Sequence, residues 1–108
     1  MRIARVTGNV TLNAQVTDLR AGSYLVVRTC NRGTLAGRNE GNDETVVLFD
    51  MLGAGPGDLV GLAEGREAAA PFYPGRVPYD AYCACILDSI HYRPVVGAGA
   101  QATAQDAT

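Results

Sequence analysis

The sequence predicts an all-β fold with one short helix, arranged as a small five-stranded antiparallel barrel of OB-like type. Five short apolar runs alternate with segments rich in glycine, proline and asparagine, a pattern typical of strands joined by turns. Only one stretch combines alanines with paired charges as a helix does. Closing five strands into a barrel removes their exposed edges, and 108 residues suffice for one modest core.

Each predicted strand corresponds to one apolar run. The runs are Ile3 to Leu12, Ser23 to Cys30, Glu44 to Phe49, Leu59 to Leu62 and Asp80 to Ile90. Gly8 inside the first run indicates a bulge or bend. The last run alternates two uncharged faces: Tyr82, Ala84 and Ile86 on one, and Cys83, Cys85 and Leu87 on the other. We therefore expect both faces to be buried, one of them between subunits.

The remaining segments are predicted to be connections. Asn31 to Asp43 is rich in glycine and asparagine, which indicates a long exposed hairpin loop. Glu64 to Ala70 is the predicted helix, and Pro71 and Pro74 prevent its continuation. Residues 93–108 are mainly alanine, glycine, glutamine and threonine, so we predict a disordered tail after a folded domain at 1–92.

Composition excludes several classes of function. A net charge of -2 gives no basic surface for nucleic acid or an anionic membrane. There is no apolar run of about 20 residues that could span a membrane, and no basic-then-apolar leader. Three cysteines do not form a disulfide framework. These features predict a cytoplasmic protein with reduced thiols that binds neither nucleic acid nor membrane.

The most tightly specified segment is residues 50–58, Asp-Met-Leu-Gly-Ala-Gly-Pro-Gly-Asp, which we call the glycine corner. Glycine supplies positive φ and proline fixes φ, so this composition indicates a defined turn between strands. Gly55 is expected to combine positive φ with close backbone approach, so that Gly55→Val should disrupt this segment. Asp80 is expected to hold a second turn by accepting hydrogen bonds from local backbone amides.

Four motifs occur in a characteristic order along residues 1–92. They are Ile-Ala-x-Val-x-Gly-x-Val from Ile3, the Leu-Val-Val strand from Leu25, the glycine corner, and Pro-x-Asp-Ala from Pro78. In this order they resemble the pentameric vertex proteins of bacterial microcompartment shells, of the carboxysome and ethanolamine-utilisation type. The resemblance implies a structural shell protein without active site or cofactor. It also implies a homopentamer at the five-fold vertices, surrounded by hexameric shell proteins.

The resemblance and the apolar last strand together indicate where subunits meet. We expect the contact between subunits to involve Gly53, Ala54, Gly55, Gly57, Asp58, Asp80, Tyr82 and Ile86. Three aromatic residues in the loop before the last strand, Phe72, Tyr73 and Tyr79, are expected to contact hexameric shell tiles, because exposed aromatics often anchor interfaces.

Other readings of the same residues stay open at this point. An OB-like barrel can bind a small ligand or single-stranded nucleic acid. Cys83, Cys85 and His91 could supply soft ligands for zinc or an iron-sulfur centre, although buried core cysteines explain the pair better. The three glycines of the corner lack the lysine and hydroxyl of a phosphate-binding loop. No nucleophile-base pair is evident, so we predict no enzyme activity, no metal and no cofactor.

Overall fold

Five strands form a closed barrel in the computed structural model, which describes residues 1–37 and 44–93. The strands are β1 (Arg2–Val10), β2 (Ser23–Thr29), β3 (Thr45–Asp50), β4 (Leu59–Glu64) and β5 (Ala81–Ile86). Their order around the barrel is β1-β2-β3-β5-β4, with β4 pairing back to β1. The predicted fold class and all five predicted strands are confirmed.

One of the five strand pairs is parallel. The pairs β1-β2, β2-β3, β1-β4 and β4-β5 are antiparallel, whereas β3 meets β5 in parallel through Phe49 and Tyr82. The fully antiparallel expectation is therefore corrected. The reason is one of parity, because directions cannot alternate around a closed ring with an odd number of strands.

The core fills the barrel with inward-facing side chains. Val6, Val27, Leu48, Val60 and Leu62 are each at most 1% exposed. Burying each such side chain stabilises the fold by about 1.5–3 kcal/mol relative to leaving it exposed. The β1-β2 register shifts between Val6 and Gly8, which confirms the predicted irregularity of the first strand.

A second register shift changes the faces of β5. Leu62 pairs with Cys83, but the adjacent Gly61 pairs with Cys85, so Ala84 is an extra residue. Paired residues share a face, and a slip of one residue reverses the faces. Cys83 therefore points into the core, whereas the Cys85 thiol covers Gly61 on the outside. The expectation that both cysteines share one face is wrong.

Two short helices connect the strands. α1 (Arg32–Leu35) lies where a loop was expected, and a capping box formed by Asn31 and Thr34 begins it. Ala36 after this helix is buried, so the loop prediction is wrong here, and residues 38–43 lie outside the described residues. α2 (Arg66–Ala69) continues as a 3₁₀ turn over Ala70–Phe72, which confirms the predicted helix.

The predicted tail covers residues 93–108, of which 94–108 lie outside the described residues, so the tail and the boundary at residue 92 stay predictions. None of the helices within the described ranges is long and apolar enough to cross a membrane.

Candidate assembly surfaces

The glycine corner is organised by the buried carboxylate of Asp50. Only 1% of this residue is exposed. Its Oδ1 accepts a hydrogen bond from the backbone N–H of Leu52 at 3.1 Å, and its Oδ2 accepts from Gly53 at 2.9 Å and Ala54 at 3.0 Å. A carboxylate that satisfies three amides holds the first half of the corner in one conformation.

The second half of the corner is tied to Asp58 and β1. The Asp58 carboxylate accepts from the Gly55 N–H at 2.8 Å. The Gly57 N–H donates to the Val6 carbonyl at 2.8 Å, and the Val6 N–H donates to the Asp58 carbonyl at 2.9 Å. The Arg5 guanidinium also donates to the Gly57 carbonyl at 3.0 Å. The corner is thus a rigid extension of the barrel.

The glycines of the corner have different roles. Gly53 and Gly57 have φ of 86° and 92°, a region that favours glycine. Gly55 is not among the positive-φ glycines, and a Cβ built on it meets no described atom within 4 Å. The physical basis expected for Gly55→Val is therefore wrong within the chain. The conformational requirement falls on Gly53 and Gly57.

The expected turn-holding role of Asp80 is also corrected. Asp80 is exposed, and it contributes its backbone carbonyl, which accepts from the Gly65 N–H at 2.9 Å. Asp50 and Asp58 are the carboxylates that cap turns, because they lie at the two ends of a loop whose amides point inward. An aspartate directly before a glycine-rich turn is the sequence signal for that role.

Two apolar side chains project from the tip of the corner. Met51 and Leu52 are 58% and 52% exposed, whereas Ala54 beside them is buried. In the described part of the chain, no other two exposed large hydrophobic residues are adjacent in sequence. The sequence does not distinguish Met51 and Leu52 as surface residues, because an apolar pair before three glycines is compatible with a turn whether the pair points inward or outward.

An aromatic cluster covers the outside of β2, β3 and β5. Phe49 is its centre, 1% exposed, with the Tyr79 ring stacked on it at a centroid distance of 4.4 Å. Tyr24, Phe72 and Tyr82 surround this pair at centroid distances from 5.3 to 6.3 Å from Phe49. The loop before β5 is thereby packed onto the barrel instead of standing free.

Hydrogen bonds lock Tyr79 into this cluster. Its hydroxyl accepts from the Arg20 N–H at 2.6 Å and lies 3.0 Å from the Tyr24 hydroxyl. Burial and the bond to Tyr79 raise the pKa of Tyr24 to about 12. Tyr79 is 8% exposed, so the expectation of an exposed contact residue is wrong for it. Tyr73 is 84% exposed and Phe72 is half-buried, which leaves Tyr73 as the accessible aromatic of the three.

The same cluster weighs against the reading as a nucleic-acid-binding OB module. That reading requires aromatic faces displayed for bases to stack on. Phe49 and Tyr79 instead use their ring faces on each other. Tyr82 is half-buried beside them, in a structural role.

The candidate metal ligands are not brought together. Cys83 is fully buried in the core, and burial, followed by the neighbouring Asp50 carboxylate, raises the pKa of its thiol to about 12. The Cys85 thiol lies on the opposite face, and His91 is exposed beyond the end of β5. Within residues 1–37 and 44–93, no three side chains of histidine, cysteine, aspartate or glutamate form a metal-binding group.

A recess lies beside the corner at the same end of the barrel. Its volume is about 510 Å³, and it is lined by residues 9–12, Gln15, residues 22–25, Ala54 and Pro56. Ile86 is 41% exposed at the end of β5. The corner and the recess therefore lie side by side, and Ile86 adds an exposed apolar side chain at the end of β5.

Comparisons with known proteins agree with this fold. The family described as ethanolamine utilisation protein EutN/carboxysome matches residues 1–88. The chain is 31% identical to the pentameric shell protein MSM0273 from the RMM microcompartment, over 82% of this chain and 92% of that one, with a TM-score of 0.68. A search of curated protein sequences gave no match.

Two further solved structures have the same architecture. GrpN, a pentameric microcompartment shell protein from Rhodospirillum rubrum, is 25% identical over 85% of this chain and 99% of its own, with a TM-score of 0.69. CcmL from Nostoc sp. PCC 7120 is 28% identical over 84% of this chain and 93% of its own, with a TM-score of 0.69. The closed barrel and the match over residues 1–88 show that this chain belongs to the ethanolamine utilisation protein EutN/carboxysome family.

Proposed function

We propose that this chain assembles as a homopentamer that closes the five-fold vertices of a bacterial microcompartment shell in the cytoplasm. The observation that carries the proposal is the similarity, along nearly the whole barrel, to shell proteins described as pentameric. A flat layer of hexagonal tiles closes into a shell only where five-fold points replace six-fold ones. The role of the chain is structural, and it requires shape and stable contacts.

A closed ring of identical subunits requires a heterologous contact, in which one face of each subunit meets a different face of the next. The rigid corner, with Gly53, Ala54, Gly55, Gly57 and Asp58, is one face suited to this role. Exposed Asp80, exposed Ile86 and half-buried Tyr82 provide further candidate contacts. A stable contact of this kind buries about 1,200–2,000 Å².

The surrounding hexameric shell proteins are the second class of partner that we propose. Tyr73 supports this proposal, because it is 84% exposed on a loop whose neighbours Phe72 and Tyr79 are anchored in the aromatic cluster. A large exposed aromatic on a fixed loop loses little conformational entropy when it is bound. Tyr73→Ala rings should therefore enter shells less efficiently than wild-type rings, whereas normal entry would exclude this contact.

Native mass spectrometry at modest salt tests the assembly directly. A dominant species at five times the chain mass of 11.3 kDa is the expected result. A monomer or dimer at micromolar concentration would refute the vertex role and leave only the barrel fold. The same spectra would reveal an excess mass from any bound metal.

A further inference from the structure

We propose that Met51 and Leu52 of one subunit insert into the recess of the neighbouring copy of this chain, and that this insertion forms part of the ring contact. The inference rests on the proposed pentamer and specifies which surfaces build it. It concerns two side chains that are more than half exposed in the single chain and one recess beside them.

The first step is the rigidity of the element that carries the two side chains. The amides of Leu52, Gly53 and Ala54 are held by the Asp50 carboxylate, and that of Gly55 is held by Asp58. Because the loop is already ordered, binding does not have to order it. Met51 and Leu52 are therefore presented in a fixed position.

The second step is the chemistry of the tip. Residues 51–57 contain no charged side chain and no side-chain N–H, O–H or oxygen that could form a hydrogen bond. The backbone N–H groups of Gly53 and Ala54 already donate hydrogen bonds to the Asp50 carboxylate. Such a surface lacks the charged and polar side chains that bind an anion, a sugar or a nucleic acid. It fits an uncharged protein surface that removes Met51 and Leu52 from water.

The third step is the complementary recess on the same chain. No charged residue is among the described residues that line it, and its wall combines apolar side chains with polar ones: Val10, Leu12, Leu25 and Pro56 with Asn9, Thr11, Gln15 and Ser23. Its volume of about 510 Å³ is within the usual range of pockets that hold small molecules, which is ample for two side chains. In a chain of which 19% is charged, an uncharged tip and an uncharged recess form a matched pair.

The occupant follows from these features. Because neither Met51 nor Leu52 is among the residues that line the recess, their insertion into the recess of another copy is a heterologous contact, as a closing ring requires. Both patches lie at one end of the barrel, so insertion around the ring would place this end of each subunit against its neighbour. A second copy of the chain is therefore the partner to which we assign the tip.

The first test places a charge on either side of the contact. Leu52→Asp and Leu12→Asp change exposed side chains of the tip and the recess, and Val16→Asp is the matched control, 61% exposed and outside the recess lining. An unpaired charge in the contact should raise the chain concentration for half-assembly by roughly 30-fold or more. Val16→Asp should assemble as the wild type does.

The outcomes separate clearly. Full pentamers of Leu52→Asp at wild-type concentrations would overturn the inference, and so would an equal loss of assembly in Val16→Asp. Thermal unfolding by circular dichroism verifies that each variant still folds. A wild-type protein that forms no ring refutes the proposed function itself, whereas an intact wild-type ring that tolerates Leu52→Asp refutes only this inference.

A second test does not depend on weakening the ring. Chains with Met51→Cys and chains with Leu12→Cys are purified separately, mixed and oxidised. A covalent dimer above the level of either chain alone is expected, because in the mixture the two new thiols belong to different chains. The absence of that product from mixed rings, under conditions where the rings are intact by native mass spectrometry, would also overturn the inference.

Discussion

Replacing Asp50 with alanine tests whether one carboxylate holds the glycine corner. The change removes the acceptor for three backbone amides, at 3.1, 2.9 and 3.0 Å. A buried donor left without a partner costs about 1–3 kcal/mol. Ala54 is buried, whereas Leu52 and Gly53 are exposed and their amides can turn to water. The total should therefore be about 1–3 kcal/mol, a substantial part of the roughly 5–15 kcal/mol typical of a native domain.

The assay is urea unfolding followed by circular dichroism, at one fixed chain concentration because assembly adds to apparent stability. Asp88→Ala is the control, since Asp88 is exposed after β5, and it should stay within about 0.5 kcal/mol of the wild type. Hydrogen exchange should also show faster exchange at residues 52–54 in Asp50→Ala. A loss of stability below about 0.5 kcal/mol, or unchanged exchange at these amides, would refute the account of the corner.

Three further predictions follow from the same geometry. Gly57→Ala should lower the free energy of unfolding by about 1–2 kcal/mol because φ of Gly57 is 92°. Gly55→Ala should leave it unchanged within about 0.5 kcal/mol. Equal urea midpoints for the two variants would contradict this prediction. Cys83 should resist alkylation by iodoacetamide at pH 8 until the protein is unfolded, because its thiol is buried with its pKa raised to about 12. Peptide mass spectrometry measures the labelling, and rapid labelling of the folded protein would contradict the position of Cys83 in the core. The Arg2 guanidinium lies 2.7 Å from the Glu64 carboxylate and lowers the pKa of that carboxyl. The ion pair therefore stabilises the fold above the unfolded pKa of about 4.5. This stabilisation is lost as the pH falls through the folded pKa. Since both groups are partly exposed, Glu64→Gln should cost no more than about 1 kcal/mol at pH 7. This cost should decrease as the pH falls below 4.5, and a difference that does not change with pH would exclude this ion pair as its cause.

The strands and the corner could be predicted because their signals are local. Alternating apolar residues report which side of a strand is buried, and the irregularity at Gly8 was expected where the register shifts between Val6 and Gly8. Three glycines and a proline within a few residues restrict the backbone wherever they occur. The helix after β4 was predicted for a similar reason, since proline limits its end.

Several features depended on contacts that the sequence does not display. Tyr79 belongs to a polar, proline-rich loop, and it is buried only because Phe49 lies beneath that loop at 4.4 Å. Cys83 and Cys85 were assigned to one face, but the extra residue in β5 separated them. The helix α1 was not predicted, because its stability comes from the capping box of Asn31 and from burial of Ala36.

By itself, the sequence determined the number and positions of the strands, the shape of the corner and the resemblance to vertex proteins, because each depends on residues close together in the chain. Only the tertiary structure decided which aromatic is exposed, which cysteine lies in the core, and that Met51 and Leu52 point outward beside an uncharged recess. These properties depend on which distant segments pack together when β4 closes the barrel against β1. The long-range packing of a closed ring of strands therefore determines which surfaces remain for assembly.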